Sequence, residues 1–290
     1  MTPLRTVALT GVAMLAFAAN SLLCRLALQH ASIDPASFAS VRLASGALVL
    51  AAIVRLRLRP GAPTVAPDWL AGTMLWAYVA CFSFAYLTLA AGTGALILFG
   101  AVQMTMFGVG LHAGERFTAA AWTGLAMALA GLLYLVSPGL AAPDPLGAAL
   151  MTAAGIAWGV YSLRGRRSTE PLAATAGNFL RATPLALAVS LLFVTHFHAE
   201  PAGVALAIAS GGLTSGLGYV IWYAALPGLS ALRAATVQLS VPPLAAFGGV
   251  LLLAEAISLR LVLASLAILG GVALVLASRS QRSPAARRRG

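Results

Sequence analysis

The stretch TGALILFGAVQMTMFGVGL, Thr93–Leu111, contains no charged side chain over nineteen residues. A helix needs about 20 predominantly apolar residues to cross a bilayer, so this stretch reads as a membrane span. Nine others of the same kind surround it: Thr6–Leu28, Pro35–Val54, Trp69–Ala90, Phe117–Val136, Leu146–Leu163, Leu172–Val194, Ala202–Ala225, Leu229–Leu253 and Ile257–Ala277. Arg59-Pro60-Gly61, Ser137-Pro138-Gly139 and Pro227-Gly228 supply turn chemistry between them. A transmembrane β-barrel would show alternating segments of about ten residues, and continuous apolar runs leave no room for those. The first span is as long as the rest and no convincing cleavage site follows it, so it is read as retained rather than as a signal peptide. The expected fold class is an all-α integral membrane protein with ten transmembrane helices.

Composition agrees. Of 290 residues, 60% are hydrophobic and 9% charged, with a mean hydropathy of +0.93. A soluble domain carries about 25% charged residues, so a soluble enzyme, a disordered chain and a secreted disulfide scaffold are excluded. Cys24 and Cys81 both fall inside apolar spans, which argues against a disulfide or a metal site. All 18 basic residues are arginine, set against seven acids for a net charge of +11. With the N-terminus cytoplasmic, the inside loops hold Arg55, Arg57 and Arg59, then Arg116, then Arg164, Arg166 and Arg167. The tail adds Arg279, Arg282, Arg287, Arg288 and Arg289. The outside loops hold Asp34, Asp144, His196, His198 and Glu200, with Arg260 just inside the last span. This asymmetry sets both ends inside. Arginine so placed fits topology and anionic lipid headgroups, not nucleic acid.

The chain also repeats. Arg42 and Arg181 are 139 residues apart, as are Arg25 and Arg164; Asn20 and Trp158 are 138 apart, Glu115 and Glu255 140. Phe82 and Tyr86 match Tyr219 and Tyr223 at 137. These anchors divide the protein into a first five-helix repeat, 1–140, a second, 141–278, and a basic tail, 279–290. Five is odd, so the second unit enters the membrane inverted, an arrangement characteristic of secondary transporters.

On these residues the chain resembles the drug/metabolite transporter superfamily, EamA-like branch. The likeness is carried by Ile156-Ala157-Trp158-Gly159-Val160-Tyr161 with its trailing arginines, and by Arg42 and Arg181 in the second span of each half. Pro242-Pro243 followed by Leu251-Leu252-Leu253-Ala254-Glu255, and Gly114-Glu115-Arg116, add to it. The first half lacks a proline matching Pro242. Within the superfamily the chain is most similar to the YddG-type exporters of aromatic amino acids. The resemblance implies ten helices, alternating access at a central cavity, no cofactor, and a multi-pass location in the bacterial inner membrane.

Tyr78, Phe82 and Tyr86 recur every four residues along one face of the third span. Tyr219 and Tyr223 take the matching face of the eighth, Trp158 and Tyr161 lie three apart in the sixth, and Phe99 lies in the fourth. Tyr78, Phe82, Phe99, Trp158, Tyr161 and Tyr219 are the expected aromatic lining of a substrate cavity, helix packing being the competing reading. Tyr86, Tyr223 and Trp69, near span ends, are expected in the interfacial belts. Asn20, Gln103, Asn178, Gln238 and Ser240 are costly facing lipid. Of these, Gln238, Asn20 and Asn178 are candidates for substrate binding, Gln238 beside a helix broken by Pro242 and Pro243. Arg42, Arg181 and the two prolines are assigned a structural or gating role, with carboxylate binding by the arginines the alternative. No acid lies mid-span, which counts against a proton-coupled exporter of organic cations. No P-loop, H-E-x-x-H or G-x-S-x-G occurs.

The expected function is a secondary transporter exporting a small zwitterionic or neutral metabolite, an aromatic amino acid on the strength of the resemblance, by alternating access. A drug or other metabolite on the same fold is the alternative, and a membrane-embedded enzyme a remote one. The expected partners are that small molecule, the bilayer and its anionic headgroups at the basic tail, with the protein a monomer.

Overall fold

A computed structural model describes residues 2–57, 67–112, 117–139, 142–165, 168, 170–229 and 237–280, of which 278–280 by backbone alone. Its helices are α1 (Pro3–Gln29), α2 (Pro35–Arg57), α3 (Trp69–Ala85), α4 (Ala91–His112), α5 (Ala119–Val136), α6 (Pro145–Gly165) and α7 (Pro171–Leu192). There follow α8 (Pro201–Gly228), α9 (Val241–Leu253) and α10 (Leu259–Ser280). Among the described residues, eight of these are long and apolar enough to cross a membrane, while α3 and α9 are shorter apolar helices. Arg59-Pro60-Gly61, Gly114-Glu115-Arg116, Arg166, Arg167 and the tail 281–290 lie outside the described residues.

The helix starts are written in the sequence. α1, α2, α6, α7 and α8 each begin on a proline, whose missing N–H has no intrahelical partner in the first turn anyway. Asp34 Oδ1 accepts the N–H groups of Ala36 and Ser37, Asp68 that of Ala71, and Asp144 that of Gly147. These carboxylates satisfy donors that the helix itself leaves open. The apolar residues run around every face, so burial is decided by neighbours rather than by a stripe.

α3 packs on α6 and α7, α2 on α7 and α8, α1 on α8 and α9, and α4 on α6 and α9. α5 and α10 pair with each other at the periphery. One buried core runs through the middle of the bundle, from Met14 and Leu43 to Leu96, Phe179 and Val241. α8 carries a π-helical segment, Ala209–Leu217, in which Gly211 lies so close to α2 that a Cβ there would overlap the Arg42 carbonyl oxygen and Ser45 Oγ.

Two sequence expectations change. The ninth span, Leu229–Leu253, is in its described part interrupted by a turn at Leu239-Ser240, after which α9 begins. Pro242 and Pro243 therefore start a helix instead of kinking one. Tyr86, expected in an interfacial belt, is fully buried and donates to the Ala91 carbonyl at 3.2 Å; Trp69, at 61% exposed, keeps a belt position. Gly108 has no neighbour for a Cβ to meet, whereas Gly124 and Gly131 face α10 closely.

Candidate functional site

One end of the bundle is stitched shut by its connections. Arg25, near the end of α1, donates Nε to Glu255 Oε1 at 3.2 Å and Nη1 to the carbonyls of Tyr86 and Leu87, both at 3.0 Å. The Ala91 N–H donates to Glu255 Oε2 at 2.9 Å. Ala254, which ends α9 at φ 53°, is a rare left-handed position for a residue other than glycine. It turns the chain so that Glu255 folds back over Gly249, where a Cβ would meet the carboxylate. At the same end Thr88 donates to Asp144 at 3.1 Å, the Asp34 and His198 backbones bond at 2.8 Å, and Arg260 donates to the Ser137 carbonyl.

Towards the opposite end lies a cavity of about 460 Å³. It extends from Phe17, Trp158 and Tyr219 past Gln103, Tyr161 and Trp222 to the α6–α7 connection at Ser168 and the last turn of α8 at Leu226. Its size falls in the usual range for small-molecule sites, about 300–1,000 Å³. Deeper in the bundle, a void of about 30 Å³ is lined by Asn20, Ser21, Tyr78, Phe82, Phe99, Thr214 and Ser215. Phe17, Trp158, Tyr219 and Gln238 line both spaces and form the partition between them.

The rings are continuous. Trp158 lies 4.8 Å from Tyr78, 5.3 Å from Tyr161 and 5.5 Å from Tyr219, centroid to centroid. The chain extends through Phe82 to Tyr86 on one side and through Phe17 to Trp222 on the other. Each such pair contributes about 0.5–1.5 kcal/mol beyond burial, so the partition is both apolar and stiff. The polar part is equally ordered. Asn20 Oδ1 accepts from Ser210 at 2.6 Å and Thr214 at 3.2 Å, and its Nδ2 donates to the Tyr78 hydroxyl at 3.4 Å.

Arg42 is 1% exposed. Its Nη2 donates to the Tyr78 hydroxyl at 3.1 Å and its Nε to Ser215 Oγ at 3.3 Å, and the guanidinium lies over the Phe82 and Tyr78 rings at 4.9 and 5.2 Å. Its Nη1 is buried without a hydrogen-bond partner among the described residues. An arginine at this depth costs about 2.5–3.5 kcal/mol on insertion scales, and each cation–π contact returns about 0.5–2 kcal/mol. Its repeat-mate Arg181 is in a different setting: half-buried, 6.0 Å from the Trp69 ring.

The structure thus gathers Asn20, Tyr78, Phe82, Phe99, Trp158, Tyr161, Tyr219 and Gln238 around the two spaces. Asn178 is buried behind Tyr161 and lines neither. Arg181 stands apart, and Pro242 and Pro243 open α9. Phe17, Ser21, Ser210, Thr214, Ser215 and Trp222 escaped the sequence reading. The signal for five of them was present: Phe17 and Ser21 share a helical face with Asn20, and Ser210, Thr214 and Ser215 belong to a Ser/Thr/Gly-rich run in mid-span, Ala209–Gly216.

Outside the spans, Asp68, at the start of α3, is bonded to α6. Arg164 Nε donates to its Oδ2 at 2.9 Å. Burial alone would raise the Asp68 carboxyl, but the Arg164 and Ala71 hydrogen bonds and the charges of Arg164 and Arg181 together bring it below its ordinary 3.8. Among the described residues no cluster of His, Cys, Asp or Glu is placed to hold a metal.

Comparison with known proteins places this architecture. Residues 145–277 match the EamA-like transporter family. An uncharacterized protein of Pseudomonas aeruginosa is 53% identical over 279 residues, 96% of this chain and 97% of its own. A crystal structure of a protein at 20% identity superposes with a TM-score of 0.64 over 96% of this chain and 99% of that one; at that identity it speaks for the fold alone.

Proposed function

We propose, from the match of residues 145–277 to the EamA-like transporter family, that the cavity of about 460 Å³ and the void behind it form one translocation path for a small solute with a planar ring. The observation that carries this is the unbroken aromatic contact Tyr78–Trp158–Tyr219 between the two spaces. A ring entering the cavity can take over one of these contacts as the partition opens. Aromatic amino acids have the required shape, and they are the substrate class that the resemblance to the YddG-type exporters implies.

In this reading ten helices span the bilayer as two inverted repeats, 1–140 and 141–278. Support comes from the principal helix pairs, which map onto one another when the halves are exchanged. The pair α1·α8 answers to α6·α3, α1·α9 to α6·α4, and α2·α8 to α7·α3, while α2·α7, α4·α9 and α5·α10 map onto themselves. With both termini cytoplasmic in a bacterial inner membrane, the stitched end faces outward and the cavity faces inward. The conformation is then the one that loads cytoplasmic substrate for export. Transport requires the Arg25–Glu255 bonds to break and the other end to close. One copy of the chain contains the whole path, so a monomer suffices, and the tail arginines rest on anionic headgroups.

Three alanine variants test the reading in proteoliposomes by counterflow of labelled phenylalanine. Trp158→Ala and Tyr219→Ala remove partition rings and are expected to lower uptake at least tenfold per mole of folded protein, with the fall in Tm that the lost ring contacts bring. Trp122→Ala, which removes a ring exposed on the outer face of α5, should leave it unchanged. Undiminished uptake by both partition variants would contradict the assignment.

A further inference from the structure

We infer that Arg42 recognises the carboxylate of the transported solute, so that the protein selects organic anions and zwitterions over neutral or cationic analogues of the same shape. The inference rests on the translocation path proposed above and adds what that path requires of its substrate. Arg42 is a fully buried cation in mid-bundle. None of the six described acids answers it. Asp34, Asp68 and Asp144 hold helix starts, Glu255 holds Arg25, Glu200 pairs with His198, and Glu170 precedes α7.

What Arg42 does hold is two neutral hydroxyls, Tyr78 and Ser215, both lining the inner void. A hydroxyl brings no negative charge to the guanidinium, whereas a carboxylate brings a full charge and accepts two of its donors at once, so a carboxylate arriving in the void displaces the hydroxyls. The unpartnered Nη1 supplies a further donor, and a guanidinium fork matches the two oxygens of a carboxylate. The spacing is right for a bifunctional ligand. Tyr78 touches Arg42 through its hydroxyl and Trp158 through its ring, so a solute with its acid at Arg42 presents its ring to the partition. Arg42 itself lines neither space and reaches the inner void through the Tyr78 and Ser215 hydroxyls, whereas Arg181, its counterpart in the repeat, lies beside Trp69 and close enough to Asp68 to lower its pKa.

The test uses acid and amide pairs with one ring. Purified protein is titrated with 3-phenylpropionate, 3-phenylpropionamide and butyrate. Binding is read as thermal stabilisation, and each is also tried as an inhibitor of phenylalanine counterflow. The acid is expected to bind about tenfold or more tightly than the amide, and the preference should vanish in Arg42→Gln and persist in part in Arg42→Lys. The wild-type series decides alone if the variants fail to fold. Equal binding of acid and amide overturns the role of Arg42 and leaves the aromatic path standing. Binding of butyrate with neither ring compound leaves Arg42 standing and overturns the aromatic path. Binding of none of the three overturns both.

Discussion

Replacing Glu255 by Gln removes the negative charge from the stitched end while keeping the side chain's shape. In the native protein the carboxylate holds Arg25 Nε at 3.2 Å and the Ala91 N–H at 2.9 Å. The two side chains are 17% and 12% exposed. That sets them between exposed pairs, worth about 0.2–1 kcal/mol, and buried pairs whose disruption costs about 3–5 kcal/mol. Arg25 keeps its bonds to the Tyr86 and Leu87 carbonyls, so the loss is about 2 kcal/mol, which shifts an opening equilibrium about 30-fold. Deuterium exchange in lipid nanodiscs reads this directly at the amides of Tyr86–Ala91. Exchange there should quicken about 30-fold in Glu255→Gln, with Ala71 and Gly72 at the other end unchanged. Arg25→Gln should do the same, and the double variant should add little, because the two substitutions break one pair. Equal exchange in variant and wild type, or additive single effects, would refute the idea that this pair holds the end closed.

Other expectations are equally concrete. Gly211→Ala drives a methyl into the Arg42 carbonyl and should cost about 1–3 kcal/mol, seen as a fall in Tm; Gly108→Ala, with open space around it, should leave Tm unchanged or raise it. Asp68 has a depressed pKa, so its contribution to holding the start of α3 is full above the ordinary carboxylate value of 3.8 and is lost as pH falls through the lower native value. Exchange at Ala71 corrected for intrinsic rates should therefore be flat from neutral pH to about 5, and Asp68→Asn should raise it across that range.

The spans were legible because membrane crossing is a length requirement on apolar sequence, and Thr93–Leu111 meets it without ambiguity. Helix starts were equally open to reading at Asp34-Pro35 and Asp144-Pro145, where cap and first-turn proline are adjacent. Faces were another matter. In a helix apolar all round, periodicity does not tell lipid from neighbour, so Tyr86 read as a belt residue although its ring is enclosed. Arg42 and Arg181 looked equivalent because a sequence repeat records position and not the conformation that sets each half apart. The π-helical segment of α8 was hidden for a further reason. Its Ser210, Thr214 and Ser215 matter through Asn20 and Arg42, more than 170 residues away in the chain. Trp158 and Tyr219, which lie between the two spaces, stood out in the sequence as aromatic residues within apolar spans.

Counterflow tests the transport assignment most directly. Proteoliposomes loaded with unlabelled phenylalanine would be given a trace of labelled phenylalanine, with and without a pH gradient. If the aromatic partition gates a path for such solutes, label accumulates transiently, tryptophan in excess suppresses it, and the gradient makes no difference, because no acid lies along the described path to carry a coupled proton. Uptake no greater than in protein-free liposomes, for phenylalanine and tryptophan alike, would contradict it.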